Sequence, residues 1–445
     1  IELFASPNNL VYTRTVANPL GGAKVTGKFG AWTVAHLTAL DEFGAARDGS
    51  ATPDTRSLAN LTRLRRDVGD NSVAGITLTN RDEDGRHNRV ISADTRLVFN
   101  KLYYFQGQLG ASFTKDDRSD KFRSDPLWEL EVDRTGRAFG FNYKLTAIGN
   151  DFETWSGFVN RTGIATARAF NRYAVYGSRG ALVEQASVFG GISRIFSYRD
   201  IGGRALEGGQ ELNLSLRLRG GWNISSRGEL AFVRFDPAAY ANYTVQGGDP
   251  HRPFLVNSGL YDALGASVTI TTPTWRLWQG SLRVEHGTKA IFPEAAEARG
   301  TAATASITMR PTPAVRLFGT LAVQKLERKR DGSEFARTIL PRLKAEVQPN
   351  RSLFFRLVAE YRSERQAAFA DPVSGLPILI NGAPTAARQT DRLRMDWLAS
   401  YEPTPGTVAF LGYGSTLRGE RALTFRELER TEDGFFVKVA YLFRK

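Results

Sequence analysis

The chain has 445 residues, 42% of them hydrophobic and 24% charged, with a formal net charge of +13 and no cysteine. The absence of thiols excludes disulfide scaffolds, zinc–thiolate centres and thiol catalysis, and fits a protein of the cell envelope. No run approaches the ~18 apolar residues of a membrane helix, and no 3.6-residue period is sustained.

In chain order, Asn9–Val16 reads as a first strand and a second opens near Ala23. Farther on, Tyr103, Phe105, Leu109, Ala111 and Phe113 alternate with Tyr104, Gln106, Gln108, Ser112 and Thr114. Trp128, Leu130 and Val132 flank Glu129, Glu131 and Asp133, and Lys144 follows in the next strand. Successive strand side chains point to opposite faces, so each segment has one apolar and one polar face. A face with three acids is no packed core, whereas a water-filled lumen holds it readily. The alternation blurs over 165–197 and is sharpest at Glu211–Arg219, where Leu212, Leu214, Leu216 and Leu218 occupy every second position. Leu264, Ala266, Val268 and Ile270 repeat the pattern, as do Phe355 and Leu357 around Arg356, and Leu393, Met395 and Trp397 around Arg394 and Asp396.

The connections alternate in length. Short turns rich in Gly, Pro, Asn and Asp fall near 67–71, 100–102, 135–137, 220–222, 272–274, 310–313, 348–351 and 402–406. Longer polar links are expected over 41–55, 115–125, 236–262, 289–300, 363–389 and 417–432. Short periplasmic turns and long external loops are the habit of bacterial outer-membrane barrels. Counting from Ala23 gives about 21 strands, and Asn9–Val16 makes the total even, at about 22. The expected fold is all-β: one closed antiparallel transmembrane barrel over 1–445. Aromatics near strand ends, such as Tyr103, Trp128, Trp275, Trp397 and Tyr401, would form interfacial girdles. The final strand carries Glu432, Gly434, Val437, Val439, Tyr441 and Phe443, the form of a C-terminal signal for the barrel assembly machinery.

The basic residues are interleaved with acids and form no patch in sequence, which favours a mixed-charge lumen wall with positive excess over a nucleic-acid surface. The candidate wall residues are Lys144, Arg217, Arg219, Arg283, Arg316, Arg342, Lys344, Arg356, Arg392 and Arg394, with Glu129, Glu131 and Asp396 as counter-charges. Four scattered histidines show no metal-ligand spacing, and adjacent Glu285 and His286 point to opposite faces, so neither a cofactor nor an enzymatic site is expected. The run Asp82-Glu83-Asp84 has the composition of a calcium loop, although solvated acids are the commoner outcome.

Three segments carry a resemblance: Leu10–Lys28 (LVYTRTVANPLGGAKVTGK), residues 64–81 (LRRDVGDNSVAGITLTNR) and Asp151–Ile164 (DFETWSGFVNRTGI). Together they resemble the C-terminal barrel region of an uncharacterised bacterial family. Its members join an N-terminal domain like carbohydrate-binding family 9 to an outer-membrane barrel. The resemblance implies fold and location, and a periplasmic domain ahead of Ile1, but no catalytic residue.

The expected function is an outer-membrane barrel that conducts or transports solutes through a net-positive lumen, occluded by loops or a partner. A non-conducting anchor for a periplasmic or surface assembly is the alternative, and a TonB-dependent-receptor-like barrel without its plug is the third. Expected partners are outer-membrane lipid, the assembly machinery, and a periplasmic domain or protein filling the lumen, with no nucleic acid.

Overall fold

A computed structural model describes residues 2–42, 56–83, 85–116, 119–248, 251–257, 259–419 and 424–442. The chain divides into two compact units, Ile1–Ala174 with Phe189–Gln210, and Val175–Val188 with Glu211–Lys445. Its principal feature among the described residues is a 21-stranded sheet with antiparallel pairing from strand to strand.

The first unit opens with β1 (Pro19–Phe29), β2 (Trp32–Asp41), β3 (Ser57–Val68), β4 (Ser72–Glu83), β5 (Arg86–Phe99), β6 (Tyr103–Asp116), β7 (Ser119–Thr135) and β8 (Phe139–Ile148), each hydrogen-bonded to the next. The β5–β6 turn leaves three residues between strands, Asn100, Lys101 and Leu102, the first two left-handed at φ 49° and 57°. Positive φ is uncommon outside Gly, and Asn is among the residues that tolerate it best. Two further strands, β9 (Ile164–Tyr176) and β10 (Val183–Ser197), form in the stretch where sequence alternation is blurred.

Next come β11 (Glu207–Leu218), β12 (Trp222–Val233), β13 (Tyr243–Val245), β14 (Arg252–Pro253), β15 (Leu260–Thr271), β16 (Trp278–Ile291), β17 (Ala296–Thr312), β18 (Val315–Arg328), β19 (Glu334–Val347) and β20 (Leu353–Gln366). The remainder are β21 (Ile378–Ile380), β22 (Ala383–Pro384), β23 (Arg388–Thr404), β24 (Thr407–Gly419) and β25 (Glu429–Ala440). Within the second unit, register carries one face across many strands: Val268 lies opposite Val284, then Ala303, Val323 and Ile339. The apolar face so defined is exposed, with Leu264 at 66% and Val268 at 46%.

All eight expected short turns fall at strand junctions, but several other expectations need correction. Asn9–Val16 is not a strand: it holds a single 3-10 turn, Thr13–Thr15, and buries Leu10 and Val11. Adjacent Leu10 and Val11 both point inward, which no half-buried strand permits. Among the described residues the large sheet has 21 strands, within the expected range of 20 to 24 around 22. Among the described residues β1 pairs with β2 and β25 with β24. The expected link 115–125 is mostly strand, since β6 and β7 leave only two residues between them, and 289–300 contains just the turn Phe292–Glu294 between β16 and β17. Asp82 and Glu83 also lie in a strand, and Glu83 is buried against Arg81 and Arg86. The last strand ends at Ala440, before Tyr441, and Phe443 lies outside the described residues.

The described residues of the links 236–262 and 363–389 carry structure of their own. β14, β13, β21 and β22 form a separate four-stranded sheet in which Tyr243–Val245 pairs with Ile378–Ile380. Its core gathers Phe235, Tyr240, Val245, Phe254, Ala295 and Ile378. Tyr240 donates to the Phe292 carbonyl at 2.6 Å, and burial pushes its phenol pKa up. A buried ion pair ties this sheet down: Arg328 donates to both oxygens of Glu294, at 2.6 Å for the nearest, and also to the Ala368 carbonyl. Ala370 N–H completes the Glu294 carboxylate's set at 2.8 Å.

Candidate functional site

The polar face of the sheet is the candidate site, and it differs in character between the units. In the first unit, strand alternation puts Gln108 (1% exposed) and Glu129 (1%) on one face, while Leu109 (66%) lies on the other. Lys144 on β8 reaches Glu129 at 2.8 Å and Glu131 at 3.4 Å. Tyr104 donates to Glu131 at 2.7 Å, Gln106 to Glu129 at 3.1 Å, and Asn142 to Glu131 at 2.6 Å. A second cluster forms where Arg63 pairs with Asp94 and donates to Thr77 at 2.9 Å, with both charges almost fully buried. Gly75 makes room for it, because a Cβ there would sit 2.7 Å from the guanidinium.

These groups are buried because the chain covers them itself. The N-terminal segment 2–18 lies on this face. Asn8 donates to Gln108 at 2.9 Å and to Glu129 at 3.0 Å, and its backbone N–H also reaches Gln108. Leu10 enters a cluster with Val90, Leu127, Ile148 and Phe152, while Phe4 and Val11 pack against Ala35 and Leu61. The segment leaves the face at Asp41, whose carboxylate accepts the N–H groups of Ala17 and Asn18 at 2.9 and 2.7 Å, while Arg81 donates to the Thr15 carbonyl at 2.8 Å. The link 149–163 completes the cover: Tyr12 N–H bonds the Ser156 carbonyl at 2.7 Å and Phe158 N–H the Asn9 carbonyl at 2.8 Å. It is stapled to the wall by Asn88, which donates to the Glu153 carbonyl and accepts from Trp155 N–H.

In the second unit the polar face stays open. Arg283 pairs with Glu285 at 2.9 Å and Lys344 with Glu346 at 2.9 Å. Arg394 meets Asp396 at 3.0 Å, and Arg342 is 3.7 Å from Glu360. Arg316 lies over the Phe318 ring at 5.9 Å. Arg217 shares a strand face with Glu211, which pairs with Arg227. Arg392 lies directly opposite both Arg362 and Arg418. Arg219 is not on a strand; it sits in the β11–β12 turn and donates to the Gly180 carbonyl at 3.0 Å. Of the C-terminal set, Gly434, Val437 and Val439 lie on β25 opposite Gly414, Leu411 and Ala409. Sequence reasoning passed over the N-terminal cover. Its signal was the loss of alternation between Pro7 and Tyr12, where Leu10, Val11 and Tyr12 run consecutively.

No protein-family model matches the sequence, and no curated protein matches it. Solved structures do. The fold, strand-rich, antiparallel and apolar on one face, is similar to that of a large outer-membrane protein. One similar structure, the "Copper transporter OprC", aligns over 95% of this chain and 77% of its own, at a TM-score of 0.56 and 10% identity. OmpT, an outer membrane protein of Vibrio cholerae, aligns over 87% of this chain and all of its own in the trimer form, at a TM-score of 0.34 and 11% identity. At such identity the likeness to OprC is one of fold alone.

Proposed function

We propose that the protein is an outer-membrane β-barrel of the channel or transport type, with a polar, net-positive wall. The observation that carries this reading is the exposed apolar face kept in register across strand after strand, backed by a face of arginines, lysines and carboxylates. In water such a face is a liability, whereas in a bilayer it is the contact with lipid. The tryptophans Trp222, Trp275 and Trp278, packed within 4.3–5.8 Å of their neighbours at the short-turn end, suit a headgroup girdle. Unpaired backbone groups cost several kcal/mol each in hydrocarbon, so the edges at β1 and β25 call for partners in the membrane, and closure of the barrel supplies them. A total of 22 requires one strand beyond the 21 described.

In this reading segment 2–18 and link 149–163 are built-in occluders of the first unit's polar face, and the open basic face of the second unit is the solute path. No enzymatic activity is assigned. Purified full-length protein in a planar bilayer tests the reading. We expect stable currents whose reversal potential in a salt gradient shows weak anion preference, weak because physiological salt screens charges beyond ~8 Å. Clear cation preference overturns the positive-wall reading. Silence overturns conduction and leaves the non-conducting anchor.

A further inference from the structure

We propose that the polar face of the second unit carries a subsite for a small oxyanion solute with at least two negative charges, held by Arg342, Arg356 and Arg394. The inference rests on that face being the solute path, and it names the class of solute. β19, β20, β23 and β24 bring three cross-strand rows together in register. Arg342, Glu360, Arg394 and Thr416 form one row; Lys344, Val358, Asp396 and Gly414 the next; Glu346, Arg356, Leu398 and Gly412 the third. Neighbouring strands stand about 4.8 Å apart and rows on one face about 7 Å apart, so the long side chains of the outer rows reach over the middle one.

The middle row is low. Gly414 has no side chain, and a Cβ there would sit 2.6 Å from Asp396 Oδ1. The outcome is a depression of about 480 Å³ bordered by Arg342, Lys344, Arg356 and Arg394, against only Glu360 and Asp396 of opposite sign. Two of these cations are already engaged: Lys344 with Glu346 and with the Phe318 ring at 3.9 Å, and Arg394 with Asp396. Arg342 holds Glu360 only loosely at 3.7 Å, and Arg356 has no carboxylate partner among the described residues. One row farther Arg362, Arg392 and Arg418 stand directly opposite one another, with Arg362 paired to Glu364 and Arg418 3.8 Å from Glu432. Guanidinium forks match the geometry of carboxylate and phosphate oxygens, which a chloride cannot exploit. The three arginines are solvent-exposed, so the affinity is weak and the solute is released readily, as a pathway requires.

Equilibrium dialysis of the purified full chain in detergent micelles, against radiolabelled citrate and against inorganic phosphate, tests the subsite without requiring current flow. We expect saturable binding that weakens with added potassium chloride. R356Q and R394Q should each weaken it about threefold or more, near the factor of about five an exposed ion pair supports. R356K should retain most of it, and R66Q, which removes one positive charge in the other unit, should leave it unchanged. Heat-modifiable gel mobility verifies that each variant is folded. Binding of citrate alone assigns a carboxylate solute, of phosphate alone a phosphorylated one, and of both a site that reads charge and oxyanion shape. Absence of saturable binding for either anion overturns the proposal, as does binding insensitive to both R356Q and R394Q. Binding without bilayer current upholds the subsite and overturns conduction instead.

Discussion

The seating of Leu10 gives the most direct test of the N-terminal cover. Its side chain is fully buried among Val90, Leu127, Ile148 and Phe152. Replacing it with alanine removes the anchor and leaves a cavity, a change that costs about 2–5 kcal/mol in well-packed sites. The hydrogen bonds from Asn8 remain, so segment 2–18 should open locally while the strands stay paired. A loss of about 2 kcal/mol raises the open population roughly 30-fold, since 1.4 kcal/mol is about a factor of ten. The chain has no cysteine, so one introduced thiol is a unique reporter, and Val90, at 2% exposure, is its place. Cysteine packs as a small hydrophobe and disturbs the cluster little. The rate of labelling by a water-soluble maleimide is then compared between V90C and V90C/L10A. Acceleration by an order of magnitude or more is expected. Equal rates in folded protein would show that segment 2–18 does not cover this face.

Leu216→Arg places a charge on the apolar face of β11 and should cost roughly 2–4 kcal/mol near a bilayer midplane, read by urea titration of protein folded into lipid vesicles. A smaller loss than for Arg217→Leu refutes the face assignment. Arg63→Ala strands the buried Asp94 carboxylate and should cost about 3–5 kcal/mol in the same assay, whereas a neutral result means water reaches that pair. Glu294→Ala should release the small sheet with little effect on the strands, seen as faster proteolysis within 367–387 at unchanged heat-modifiable mobility. Asp331 accepts from the Ser333 hydroxyl and from Arg330, which hold its carboxyl well below the usual carboxylate range. A depressed folded pKa means that its stabilising contribution is complete above the unfolded value of 3.8 and lost only as pH falls below it. Titration of the labelled carboxyl carbon, with Asp331→Asn as the blank, should give a midpoint under 3.8, and a midpoint at or above it defeats the assignment.

What was legible in the sequence was whatever repeats every second residue. Leu109 against Gln108, Leu130 against Glu129, and Trp397 against Asp396 each separate to opposite faces as the alternation requires. Turn chemistry was equally readable, because Gly, Pro, Asn and Asp act locally at positions such as Asn100 and Gly220. Polarity alone was a poor guide to strand ends: Lys115 and Asp116 are polar yet paired. Segment 2–18 escaped because the contacts that seat it are distant in sequence, Asn8 reaching residues 108 and 129. The depression around Gly414 escaped for a related reason. Alternation gives the face of Arg342, Arg356 and Arg394, but only register between strands says which of them are neighbours.

The small four-stranded sheet imposes an order on assembly. Its central pairing joins Tyr243–Val245 to Ile378–Ile380, so more than a hundred intervening residues must be placed before it can form. Such long-range closure is slow, and the surrounding hairpins form sooner because their partners are close along the chain. The Glu294–Arg328 pair adds a condition, since it sits where β16 turns into β17 and where β18 ends. The cap can therefore lock only after those strands have registered correctly with one another. A chain in which β16–β20 slip by a residue would leave Glu294 and Arg328 facing the wrong sides, with the cap unformed and its apolar core open to quality-control proteases. The completed cap is in this sense a seal set last, and its presence certifies the register of the strands beneath it.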